Sequence, residues 1–251
     1  MKTHLSFRVL LFAACLVEMH ATTQAVSFEE ATDRLLKGDI DKAATAYEAL
    51  LTQGICGSAI YANLGFTLQK RNKLAEAALN YYRALMLNPQ CIEAKAGLNQ
   101  LRVQTGLPEL TPTWIQRLSE IVAPTFLLIA GEILFWIGTF LQVRGGGRKK
   151  LSLFLSSSGL SLLGATVFLV GWLSDPRVTR KHLAIVTAQE GELALAQPVA
   201  TAPRIAPLPS GTPVTVLSER GDWSYCRLAD GNQVCWIPTS SLSYVYQKPA
   251  F

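Results

Sequence analysis

The chain has 251 residues, of which 49% are hydrophobic and 16% charged, a balance that excludes a disordered protein and suits one that gives part of its length to a bilayer. A net charge of +5 and a pI near 9.0 would suit nucleic acid, but the excess sits at Lys2 and Arg8, in the segment 144–150, and at Arg177, Arg180 and Lys181. Residues 26–118 are nearly balanced and show no basic face, so the charge reads as membrane topology and nucleic acid is excluded as a partner.

At the N-terminus, Lys2 and Arg8 precede the apolar run Val9–Val17, and Thr23-Gln24-Ala25 places small residues where a signal peptidase reads. The pattern predicts a signal segment over 1–25 that directs the adjoining region outward. Phe12-Ala13-Ala14-Cys15 offers the alternative of acylation at Cys15.

Residues 26–107 carry a helical pattern. In Ser58–Pro89, Tyr61, Leu64, Gly65, Leu68, Ala77, Tyr81, Ala84 and Pro89 stand at the offsets of the tetratricopeptide repeat (TPR), which the segment resembles. Ala31, Gly38, Ala43 and Tyr47 precede Gly65, Asn72, Ala77 and Tyr81 by one period of 34 residues; Arg34 departs from the pattern, its apolar place taken by Leu35. Ile92–Val103 reads as a cap. The expectation is a solenoid of two repeats plus cap, with Ala62, Phe66, Gln69 and Lys70 as candidate groove residues for a protein partner. About three repeats are usually needed for stability, so one face is expected to lean on another element. Cys56 and Cys91 occupy near-equivalent places in successive repeats and are not expected to pair.

Residues 108–120 form a linker in which Trp114 suits the headgroup level. Two apolar spans come next, 121–143 and 151–173, each about the 20 residues that a bilayer core requires of a helix. Between them lies 144–150, where Arg144, Arg148, Lys149 and Lys150 mark the cytoplasmic side. Both flanking regions then lie outside. Glu132 falls near the centre of the first span and is expected to face protein, bonding Ser156, Ser157, Ser158, Ser161 or Thr166 of the second. Gly159, Gly164 and Gly171 allow close helix contact.

After a linker, 174–181, the segment 182–246 turns to short strands at Leu183–Thr187, Pro213–Leu217, Trp223–Leu228 and Gln233–Pro238. Gln189–Ser210, with four prolines, reads as a long loop, and 247–251 as a tail. Gly211, Val214, Val216, Gly221, Trp223, Cys226, Gly231, Trp236-Ile237-Pro238 and Ser241-Leu242 together resemble a bacterial SH3 (SH3b) barrel. A two-residue turn at Asp230-Gly231 would set Cys226 opposite Cys235 in a non-hydrogen-bonded pair. That geometry is open to a disulfide of about 2 kcal/mol or to two buried thiols. Trp223, Tyr225 and Trp236 are the candidate binding surface.

No catalytic constellation, metal-ligand spacing or phosphate loop appears, and neither an enzyme nor a cofactor is expected. The order of modules resembles the BatE-like TPR/SH3b membrane proteins of the Bacteroides aerotolerance family. That resemblance implies a non-catalytic two-pass scaffold in a bacterial inner membrane. Its TPR and SH3b parts would be periplasmic, and its partners von Willebrand-type membrane proteins of an envelope stress complex. The alternative is a cell-wall sensor or anchor whose SH3b part binds peptidoglycan.

Overall fold

The computed structural model describes residues 27–110, 113–144, 151–188 and 192–246, the side chains of 151–156 excepted. The expected signal segment with Cys15, the loop residues Arg148, Lys149 and Lys150, the Ser156 side chain and the tail 247–251 lie outside these. Among the described residues the fold is mixed: nine helices and one seven-stranded antiparallel sheet.

Five helices come first: α1 (Phe28–Leu36), α2 (Ile40–Thr52), α3 (Ser58–Lys70), α4 (Leu74–Leu87) and α5 (Ile92–Thr105). Ser27 caps α1, its Oγ accepting from the Glu30 N–H at 3.1 Å, with Glu29 and Glu30 suited to the helix N-terminus. The helices pack in sequence, and α5 lies on both α3 and α4. Their ends share a backbone device at 34-residue intervals: Gly38, Asn72 and Gly106 all take left-handed φ, at +82°, +59° and +69°. Glycine and asparagine occupy this region at least cost. The helix expected as a cap therefore ends like the first helix of a third period. Its second helix would begin at Pro108, and none forms there.

The first two periods each centre on a buried tyrosine. Tyr81 lies between α3 and α5, where a Cβ on Gly65 would approach its ring to 2.8 Å and one on Gly97 to 2.3 Å. Its hydroxyl donates to Gln69 Oε1 at 2.8 Å. Tyr47, one period earlier, exchanges a hydrogen bond with Thr32 (3.1 Å) and accepts from Asn63 Nδ2 (3.0 Å).

The next helix, α6 (Trp114–Ile121), opens with a capping box between Thr113 and Gln116, which fixes its start against fraying. Gln90 Nε2 donates to the Ile121 carbonyl at 3.1 Å, tying its end to the helical stack. The first apolar helix, α7 (Pro124–Arg144), thus starts at Pro124 rather than Ile121, because Val122 is extended and proline favours a helix's first turn. Its partner is α8 (Leu151–Ser174). Mean hydropathy reaches 1.9 and 1.4 in their most apolar windows, and both are long enough to cross a membrane. Gly131 and Gly138 of α7 face Gly164, Ser157 and Ser161 of α8 at backbone contact, the small-residue packing expected where lipid supplies no hydrophobic drive.

A short helix, α9 (Pro176–Thr179), leads to the strands β1 (Leu183–Val186), β2 (Glu192–Leu195), β3 (Arg204–Leu208), β4 (Pro213–Arg220), β5 (Trp223–Arg227), β6 (Val234–Pro238) and β7 (Leu242–Tyr244). Their order is β3-β2-β6-β5-β4-β1-β7, open at β3 and β7 rather than closed into a barrel. The stretch expected as a long loop contains the β2–β3 hairpin. Pro207 sits in β3, an edge strand, where a missing N–H costs the ladder nothing.

Strand β1 is buried on both faces. Ala184 and Val186 join Val214, Val216, Cys226, Cys235 and Ile237 in the core of the sheet. Leu183 and Ile185 point the other way, into the helical core with Leu101 and Leu107. Arg83 Nη2 also donates to the Tyr244 carbonyl at 3.3 Å. The helices from Phe28 to Thr105 and the sheet are therefore packed together at β1.

Candidate functional site

The four groove candidates separate by environment. Ala62 is buried in the helical core, and Gln69 is engaged by Tyr81, so neither is presented to a partner. Helical periodicity places all four on neighbouring faces, but the i, i+7 pair turns inward where α5 closes over α3. Phe66 remains 38% exposed, with Lys70 Nζ 5.2 Å from its ring centroid. These two form the accessible surface, a cation over an aromatic face.

On the sheet, strand alternation sorts β5 and β6 cleanly. Ser224, Cys226, Cys235 and Ile237 face the core, while Trp223, Tyr225 and Trp236 lie half-buried on the opposite face. Tyr225 pairs directly with Trp236, their ring centroids 5.0 Å apart at 39°. All three aromatic candidates share this face, with Trp223 paired across to Pro238 rather than to another ring. Such a surface offers stacking.

Cys226 does lie opposite Cys235, and both are buried free thiols. The turn differs from expectation. Asp230 Oδ1 accepts from the N–H groups of Asn232 (3.1 Å) and Gln233 (3.2 Å), while Leu228 N–H donates to the Gln233 carbonyl at 3.0 Å. The loop therefore has four residues, 229–232, and alternation puts the cysteines at a hydrogen-bonded position instead of a non-hydrogen-bonded one. Burial pushes the Cys226 thiol up to about 12 and the Cys235 thiol up to about 11. A thiol reagent at pH 8 is accordingly expected to label exposed Cys56 promptly, and Cys226 and Cys235 only after unfolding. Mass spectrometry of labelled peptides with and without reductant checks this and would expose a disulfide. Both shifts share a sign: the folded chain holds these protons more tightly than the unfolded one. The stability they confer is full below the ordinary thiol value of 9.0 and is lost as pH climbs toward 11 to 12. Midpoints of denaturant unfolding measured from pH 8 upward should fall across that window.

In the apolar pair, Glu132 is exposed and makes no hydrogen bond among the described residues, contrary to the expected bond to α8. Gln142 takes that role, donating from Nε2 to Ser158 Oγ (3.2 Å) and Ser161 Oγ (3.4 Å). The helix phase decides this: Gly131, Gly138 and Gln142 share the face toward α8 and Glu132 is rotated off it. An amide in the last turn of an apolar run is the signal that could have found it. Arg144 ends α7. Arg180, which the sequence presents only as a topology charge, sits in a cleft between the helical stack and α6.

No group of three His, Cys, Asp or Glu that could hold a metal ion occurs among the described residues. No family model, curated protein or solved structure matches the chain.

Proposed function

We propose that the chain is a non-catalytic membrane-anchored scaffold that presents a TPR-type helical stack and an SH3b-like sheet on the periplasmic face of a bacterial inner membrane, where they assemble an envelope stress or aerotolerance complex. One observation carries the reading: the helical stack and the sheet share β1, and the stack is tied to the segment before α7 by Gln90 and packs on α9, which follows α8. A rigid body fixed to two apolar helices holds Phe66 and Lys70 at a set place above the bilayer. The partners in this reading are proteins, with von Willebrand-type membrane proteins the ones the family resemblance implies. A photocrosslinker at Phe66, used in native membranes, is expected to give discrete protein adducts, whereas one at exposed Glu48 gives none. Equal adducts from both positions sink the surface. Orientation is checked by amine labelling: Lys70 reacts in intact spheroplasts and Lys149 only after permeabilisation. A reactive Lys149 inverts the topology.

The aromatic strip favours a second reading, in which the sheet binds peptidoglycan. Full-length protein in nanodiscs is then retained on purified sacculi, and Trp236→Ala lowers retention about tenfold, as loss of a central aromatic contact does. Retention that survives loss of both Trp223 and Trp236 rules that surface out.

A further inference from the structure

We propose that the cleft between α4, α5, α6 and α9 binds an anionic phosphate group, with the Arg180 guanidinium as its anchor. The cleft has a volume of about 250 Å³, and its polar lining is Tyr82, Lys95, Asn99, Arg102, Glu109, Glu120 and Arg180. Its two carboxylates are already engaged. Lys95 Nζ lies 3.7 Å from Glu120, and Arg102 Nη1 lies 2.9 Å from Glu109. Arg102 Nη2 donates to the Tyr82 hydroxyl at 3.3 Å, while its buried Nε has no hydrogen-bond partner. Three cations against two acids leave one positive charge over.

That charge is Arg180. Its guanidinium makes no hydrogen bond or ion pair among the described residues, although the residue is half-buried. Burial, the largest influence on it, pulls its affinity for a proton below the usual arginine range; Tyr82 and Glu120 act against that shift without cancelling it, and nearby Arg102 adds to it. An arginine stays ionised regardless, so the fold holds a cation at a desolvation cost that a bound anion would offset. The donor set suits phosphate: a planar fork for two oxygens, with the Lys95 ammonium and the Tyr82 hydroxyl on the walls. Arg180 also lines an adjoining crevice with Gln116, Ser119 and Pro176. Ser119 and Glu120 lie just before the start of α7, and Arg180 just past the end of α8. Headgroup phosphates of a bilayer crossed by these helices would stand at that level. A lipid headgroup and a soluble phosphate share this chemistry, and the experiment separates them.

Full-length protein in neutral detergent is incubated with equimolar phosphatidylglycerol and phosphatidylcholine, and retained lipid is counted by native mass spectrometry. A parallel sample is unfolded thermally in inorganic phosphate and in chloride at matched ionic strength. Wild type is expected to prefer phosphatidylglycerol about tenfold, with the preference lost in Arg180→Gln and kept in Arg177→Gln, which removes the same charge from an exposed site. Phosphate protection that depends on Arg180, without lipid preference, assigns a soluble anion instead. The absence of both effects in wild type overturns the site. So does an equal loss in Arg177→Gln, which would reduce the effect to net charge. Should Arg180→Gln fail to fold, Arg180→Lys keeps the charge without the fork, and binding unchanged in that variant overturns the role of Arg180.

Discussion

Gly164→Leu is expected to prise α7 and α8 apart, while Gly159→Leu on the same helix does almost nothing. A Cβ at Gly164 would stand 2.3 Å from the Phe135 nitrogen and 2.7 Å from the Gly131 carbonyl oxygen. Those are backbone atoms of a helix and cannot swing aside as a side chain would. The reciprocal position agrees, since a Cβ at Gly131 would meet the Phe168 nitrogen at 2.5 Å. Separating the helices by one side chain also strips Gln142 from Ser158 and Ser161. The loss should reach about 3 kcal/mol, the upper range for overpacking a tight interface. A Cβ at Gly159 meets nothing within 4 Å, so the control should stay within about 0.5 kcal/mol of wild type. Thermal unfolding in detergent micelles, read with monodispersity, compares the two. Equal stability of both variants would remove the close-packed interface.

Gly97→Ala is the second large effect, expected to cost about 3 kcal/mol through overpacking. The added methyl would stand 2.3 Å from Tyr81 Cζ and 2.6 Å from its hydroxyl oxygen. The ring cannot retreat, because Gly65 lies against its other side and Gln69 holds its hydroxyl. Tyr81→Leu, costly alone because it leaves a void, should recover part of the loss when combined with Gly97→Ala, a coupling that a double-mutant cycle measures. The shared core gives a further readout. In Gly97→Ala, Cys226 and Cys235 should become reactive at the same lowered denaturant concentration at which helical signal is lost. Sheet thiols that stay protected while the helices melt would show that β1 does not join the two halves.

The features legible in the sequence are those set by local rules. The 34-residue spacing places the left-handed turns at Gly38 and Asn72, and Asp-Gly marks the hairpin that sets Cys226 against Cys235. Apolar length marks α7 and α8. Features settled by distant neighbours are not legible. Four prolines speak for a loop, yet β3 tolerates Pro207 because it is an edge strand, a property of strand order rather than of its own residues. The burial of Ala62 and the engagement of Gln69 depend on how α3 meets α4 and α5. Leu183 and Ile185 read as half of an alternating strand, and only the docked helices show why both faces of β1 are apolar. For Glu132 the sequence indicates the position along the helix but not the azimuth, since one residue along a helix turns a side chain through about 100°.

Because β1 supplies Leu183 and Ile185 to the helical core, the first hundred residues cannot complete their own interior when they are synthesised. The strand that finishes it is made late, after α6, α7 and α8 have been laid down. For a hairpin that spans a bilayer, the chain must leave, turn and come back before the early helices are sealed. A molecule whose hairpin fails to insert would strand β1 on the wrong side and keep Leu101 and Leu107 uncovered. For such a hairpin, correct insertion would be written into the stability of the body that β1 completes, and a half-threaded chain would be recognisable to proteases by its open core.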